Sequence, residues 1–192
     1  MATLSKTAAL LALAFTTALG ASSTFAASKP ATKKTDSQTV STLDGKFTFN
    51  LPTAYVGDIL PTGSEADGTA YTTGTLYADA TTKSVVIVAE TIRQQASIKD
   101  NDPQFLDGAA NDFVKSQTAA LPDFKKLAQK TLTIKNIGLR QVDSTATQGG
   151  GKTLNSTFLA GSGDHMLVIQ AISRAEDAKG HEALVKQITG GK

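Results

Sequence analysis

Thr153-Leu-Asn-Ser-Thr-Phe-Leu-Ala-Gly161-Ser-Gly-Asp164-His-Met-Leu-Val-Ile-Gln-Ala-Ile-Ser173 is the stretch that decides the fold. Two strand-like runs flank Gly161-Ser-Gly-Asp164, whose composition is that of a tight hairpin turn. The second run is apolar on both faces, Leu167, Ile169 and Ala171 opposing Met166, Val168 and Ile172. A strand of that kind belongs in the middle of a sheet covered on each side.

Working upstream, residues 131–134 and 138–147 read as two more strands, and Gly149-Gly-Gly151 supplies the turn into the quoted stretch. Asp102-Pro103 then marks a helix start, with Asp as N-cap and Pro in the first turn. Leu106, Ala109, Ala110, Phe113, Val114 and Gln117 follow at helical spacing, and Pro122 closes the segment. Further back, Phe47, Phe49 and Leu51 alternate with polar residues, as in a strand with one buried face. Residues 58–69 read as a loop, 70–77 as a Thr- and Tyr-rich strand, 79–82 as a turn, and 84–89 as a strand apolar on both faces. Downstream, Ser173-Arg-Ala-Glu176 has the form of a capping box. The helix after it carries His181, Leu184, Val185 and Ile188 on one face and stops at Gly190. Strands, a helix, more strands and a helix predict an α+β domain: a twisted, mostly antiparallel sheet with helices packed on it.

The N-terminus is built differently. Lys6 is the only charge before Lys29, and the apolar run of residues 8–19 lies between them. That run is too short to span a bilayer, which takes about 20 residues, and a small-residue stretch follows it. The pattern predicts a signal peptide over 1–26, with Thr24 and Ala26 at the −3 and −1 positions and cleavage before Ala27. Residues 27–40 read as a flexible tether and 41–190 as the single domain. The chain contains no cysteine, so neither a lipid anchor on cysteine nor a disulfide is open to it. Removing 1–26 takes away Lys6 and no acid, which leaves 18 Lys and Arg against 17 Asp and Glu. So even a balance argues against a nucleic-acid footprint or a basic membrane-binding patch.

The residues of catalysis are sparse. His165 and His181 are the only histidines, and neither has metal-ligand spacing to a partner. His181 shares a helix face with Leu184 and Ile188 and reads as a half-buried packing residue. His165 follows a Gly-rich turn and reads as exposed. No Gly-x-Ser-x-Gly elbow occurs, and Asp143 with His165, the remaining enzymatic pairing, has no spacing logic. Gly150-Gly-Lys-Thr153 lacks the first glycine of a phosphate loop, where Ala146 stands, and a strand follows it. Asp100 and Asp102 open like a calcium loop, but Phe105 and Asn111 occupy the positions that need Gly and Glu. Neither a cofactor, a metal nor a catalytic residue is therefore assigned.

Leu43-Asp-Gly-Lys-Phe47 with Phe49 and Leu51-Pro52, then Tyr77-Ala-Asp-Ala-Thr81 and Val85-Val-Ile-Val88, resemble segments of the DcrB family of bacterial envelope proteins. Gln141-Val-Asp-Ser144 and Met166-Leu-Val-Ile-Gln170 resemble later segments, so the likeness runs from Leu43 to Ile188. It implies a Mog1/PsbP-like fold and a non-enzymatic accessory or binding role, in a family implicated in phage infection at the cell envelope. The expected protein is soluble and periplasmic, with another envelope protein as partner. The alternative is a carrier or sensor holding a small apolar ligand between sheet and helices, lined by Leu106, Phe113 and Val114.

Overall fold

A computed structural model describes residues 36–65, 69–93 and 97–191. The expected signal peptide, its cleavage residues Thr24, Ala26 and Ala27, and most of the tether lie outside them. The chain forms β1 (Ser37–Thr42), β2 (Phe47–Pro52), β3 (Val56–Ile59), β4 (Thr72–Asp79), β5 (Ser84–Ile92), α1 (Pro103–Ala120), β6 (Lys125–Ile134), β7 (Ile137–Gln148), β8 (Gly151–Ser162), β9 (His165–Arg174) and α2 (Ala178–Thr189).

β3 to β9 make a seven-stranded antiparallel sheet in the order β3-β4-β5-β9-β8-β7-β6. After β5 the chain crosses one face as α1 and enters the far edge as β6. The meander β6 to β9 then returns, so β9 fills the gap beside β5 and is central, as its two apolar faces require. β1 and β2 form a separate hairpin on the opposite face, alongside α2. The main core lies between that layer and the sheet, with Leu43, Phe47, Leu51, Val86, Phe158, Leu167, Ile169 and Ile188 fully buried. A second cluster lies under α1, where Ala109, Ala110 and Phe113 meet Val142 and Leu159. The fold is α+β.

Local chemistry explains the boundaries. Asp102 caps α1 by accepting the Phe105 N–H at 3.1 Å, and Pro103 sits in the first turn where no N–H is needed. α2 ends at Gly190, whose φ of +68° is the left-handed cap that glycine adopts without penalty.

Four expectations are corrected. The domain begins at Ser37, because residues 37–40 of the expected tether are strand and Val40 is buried in the core. Their Ser, Gln and Thr conceal a strand with one buried face. Within the expected loop 58–69, Asp58 and Ile59 complete β3. Ser173 does not open a helix: it remains in β9, and Asp177 caps α2 by accepting the Gly180 N–H at 3.0 Å. β6 starts at Lys125, six residues ahead of the expected 131, since an edge strand needs no apolar alternation.

Candidate functional site

Neighbouring strands bring two polar constellations to the hairpin face of the sheet. The first is partly buried. Asp143 on β7 lies directly opposite Ser156 on β8, and the Ser156 hydroxyl donates to its Oδ1 at 2.7 Å. The same carboxylate accepts from Gln141 Nε2 at 2.6 Å and pairs with Lys130 Nζ at 3.0 Å. Ser156 Oγ is 3.1 Å from His181 Nε2, and His181 Nδ1 is 3.0 Å from Ser173 Oγ. Since the Ser156 proton goes to Asp143, its oxygen accepts from Nε2–H, and Nδ1 accepts from Ser173. Burial would push the Asp143 carboxyl up, but the hydrogen bonds from Gln141, Ser156 and Lys130 together hold it below the usual carboxylate range. Burial lowers the His181 pKa, and the attraction of Asp143 and Asp177 offsets only part of that.

This order matters for chemistry. In a serine nucleophile triad the imidazole lies between carboxylate and hydroxyl and takes the hydroxyl proton. Here the serine lies between carboxylate and imidazole, and His181 donates to it. The chain holds α2 to β7, β8 and β9 and offers no activated nucleophile. Asp143 comes together with His181 and not with His165, which pairs across the sheet with Ser162. Six residues along β8 separate Ser156 from Ser162, about 20 Å.

The second constellation lies where the hairpin tip meets the ends of β5, β8 and β9. Leu43 and Asp44 have φ of +51° and +54°, and with Gly45 they make three successive left-handed residues. Such backbone costs about 1–2 kcal/mol per non-glycine residue. Two contacts hold it: Leu43 is buried, and its N–H donates to Glu90 Oε1 at 3.1 Å. The other oxygen of Glu90 lies 3.1 Å from His165 Nδ1, while Asp44 and Asp164 carboxylates lie 3.6 and 3.5 Å from Nε2. His165 is thus a partly buried group ringed by three carboxylates, not the exposed residue expected; its side chain is 20% exposed. Lys46 from the same tip donates to Ser162 Oγ at 2.7 Å and pairs with Asp100, which also accepts from Ser162. An open depression lined by Lys99, Asp100, Asn101, Asp102, Pro103 and Asn136 adjoins this cluster. Among the described residues, no three His, Cys, Asp or Glu side chains are grouped to hold a metal ion. No helix among them is long and apolar enough to cross a membrane.

The stripe of the carrier alternative is occupied by packing. Leu106 and Phe113 are 2% exposed, and Phe113 packs against Val142 and Leu159. The depression beside α1 is lined by polar and charged residues and Pro103, and none of Leu106, Phe113 and Val114 lines it. What sequence reasoning missed was the Asp143–Ser156–His181 chain. Its members stand 13 and 25 residues apart, and only the β7–β8 register and the return of α2 unite them.

No family model matches the sequence, and no curated protein matches it. The chain is similar in structure to the solution structure of cyanobacterial PsbP (CyanoP) from Synechocystis, with a TM-score of 0.60 at 9% identity over 86% of this chain and 96% of that one. It also matches LpqN of Mycobacterium tuberculosis, described as involved in cell envelope biogenesis, with a TM-score of 0.46 at 14% identity over 83% and 84% of the two chains. The CyanoP likeness establishes the fold as PsbP-like, in agreement with the expected Mog1/PsbP-like class.

Proposed function

We propose that this chain is a non-enzymatic accessory protein of the bacterial envelope that acts by binding a partner protein. Signal peptidase would release it before Ala27, leaving a cysteine-free periplasmic protein with no lipid anchor. The observation that carries the non-enzymatic reading is the state of the two histidines. His181 spends both ring nitrogens inside the protein, and His165 is enclosed by Glu90, Asp44 and Asp164. A general base needs a ring nitrogen turned to a substrate proton; both nitrogens of His181 are engaged, and Nε2 of His165 lies beside the carboxylates of Asp44 and Asp164. The DcrB resemblance supports the envelope setting, and a phage-related role would come with it.

The test is to express the chain with an affinity tag at its C-terminus in its host. The processed N-terminus is determined by mass spectrometry, and partners are captured after cross-linking. An N-terminus at Ala27, recovery in the periplasmic fraction and one saturable partner are expected. An uncleaved Met1 terminus or recovery only with membranes refutes the location. A His165→Gln, His181→Gln double variant that keeps its fold but loses all biological activity refutes the non-enzymatic reading.

A further inference from the structure

β1 is an open edge. The Asp36 carbonyl accepts from Thr53 N–H at 3.0 Å, so Asp36 faces β2. Leu43 N–H points the other way, to Glu90. The two-residue alternation of an antiparallel pair therefore turns Ser37, Thr39 and Ser41 outward, with their N–H and C=O groups unpaired by β2. All three residues are exposed.

The layer order says what lies beside that edge. β2 packs on α2, and its Thr48 is held by Lys135, whereas the tip of β1 rests on Glu90 of β5. The free edge of β1 thus faces away from α2, toward the β4 and β3 side of the sheet. Their side chains on this face form a floor: Tyr77, half-buried over the bare Cα of Gly57, with Thr75 and Thr73, then Tyr71 and Ile92 paired at the strand ends, and Ile59 at the rim. Ile59 is 85% exposed, Tyr71 50% and Ile92 47%. A strand added at the usual spacing of about 4.8 Å from β1 would lie above this floor, at the separation of about 10 Å that packed sheets keep.

Both edges of the seven-stranded sheet are guarded, and the outer edge of β1 is not. β6 carries exposed Lys125, Lys126 and Lys130 and a register break between Lys126 and Ala128. β3 is four residues long and is followed closely by Pro61. Lysines, bulges, shortness and proline are the devices that deter edge pairing. β1 has none of them, and its ends carry acids, Asp36 and Asp44, with no Lys or Arg in residues 36–45.

We propose that β1 takes up an extended segment of the partner protein, about six residues long, as the third strand of its sheet. Backbone bonds to Ser37, Thr39 and Ser41 hold it, alternate apolar side chains rest on Tyr71, Tyr77 and Ile59, and basic residues at its ends face Asp36 and Asp44. This is the strand-addition mode of recognition, with main-chain bonds for affinity and side-chain seats for specificity. Residues 27–35 of this chain are a poor occupant, because Ala-Ser-Lys-Pro-Ala-Thr-Lys-Lys-Thr offers no large apolar side chain and contains a proline. A second copy is equally poor: antiparallel pairing of two β1 strands would put β3 and β4 of both copies into the same space. The proposal rests on the partner-binding function above.

The probe is a set of three acetylated heptapeptides, Lys-X-Thr-X-Thr-X-Lys, with X as Val, Ile or Leu. Each is added at millimolar concentration to the ¹⁵N-labelled protein purified from exporting cells. Amide exchange at Ser37, Thr39 and Ser41 should slow at least tenfold with one or more peptides, and the Ile59 and Tyr71 resonances should shift. N-methylation of both Thr residues of the peptide, which removes the donors aimed at β1, should weaken binding at least tenfold. Ser41→Pro should abolish it, since that proline removes only an outward N–H. The proposal is overturned if no peptide protects these amides, if the N-methylated peptides protect them equally, or if the protein alone self-associates through β1. Each of those results leaves the capture of a partner by another surface intact as a separate outcome.

Discussion

Phe113→Ala and Phe158→Ala test the two-layer description of the core, because both remove the same atoms from differently closed surroundings. Phe158 is 0% exposed and packs within the main core between the sheet and the hairpin–α2 layer. No neighbour can move far to fill its place, so its truncation should reach the upper part of the Phe→Ala range, about 5 kcal/mol. Phe113 is 2% exposed, yet its cluster is small and rimmed by Val114, Met166 and Val168, all only partly buried. That rim can relax and admit water, so the loss there should be near the lower end, about 3 kcal/mol. Urea melts followed by far-UV circular dichroism measure both, with equal slopes required for the comparison. For a domain of this size the difference corresponds to about 4–8 °C in Tm. A Phe113→Ala loss below about 1 kcal/mol would mean that α1 does not cover β7 and β8. A loss at Phe113 larger than at Phe158 would refute the ranking of the two layers.

Other outcomes follow from single contacts. Ser156→Ala should cost about 1 kcal/mol, because it strands the partly buried Nε2–H of His181 while Asp143 keeps Gln141 and Lys130; wild-type stability in a thermal melt would deny the chain its structural role. Stability should fall on acidification: the folded pKa of His181 lies below its unfolded value of 6.5, so its contribution is complete above pH 6.5 and fades below it, with Asp143 adding a further loss as pH drops under about 4. The loss in the His181 window should vanish in His181→Gln, as read from melts across pH 4–8. Burial raises the Tyr55 hydroxyl, so stability should also decline above pH 10, and Tyr55→Phe should remove that decline. Asp102→Ala should cost about 1 kcal/mol through the lost cap of α1, measured by urea midpoint.

Much of the fold was legible in the chain because its signals are local. Turn glycines, two apolar-faced strands, an Asp-Pro helix start and a terminal glycine are each a matter of neighbouring φ/ψ preference and burial period. Of the residues expected inside, Phe47, Phe49, Val86, Val88, Phe113 and Ile169 are buried; Val168 is only partly so, because α1 spans β7 and β8 and stops short of covering β9. Where a strand had no apolar partner to alternate with, as in β1, β3 and the first half of β6, period-2 reasoning had nothing to detect. The polar constellations were invisible for a different reason. Asp143, Ser156, Ser173 and His181 meet only because antiparallel register sets β7, β8 and β9 side by side and α2 folds back over them. Glu90 and His165 meet the hairpin tip because Leu43 is buried deeply enough to hold three left-handed residues in a row. Which strand edges stay open is likewise a property of layer order: Ser37 and Thr39 read as a polar tether in one dimension, and with Ser41 they become an edge unpaired among the described residues only once the sheet lies beneath them.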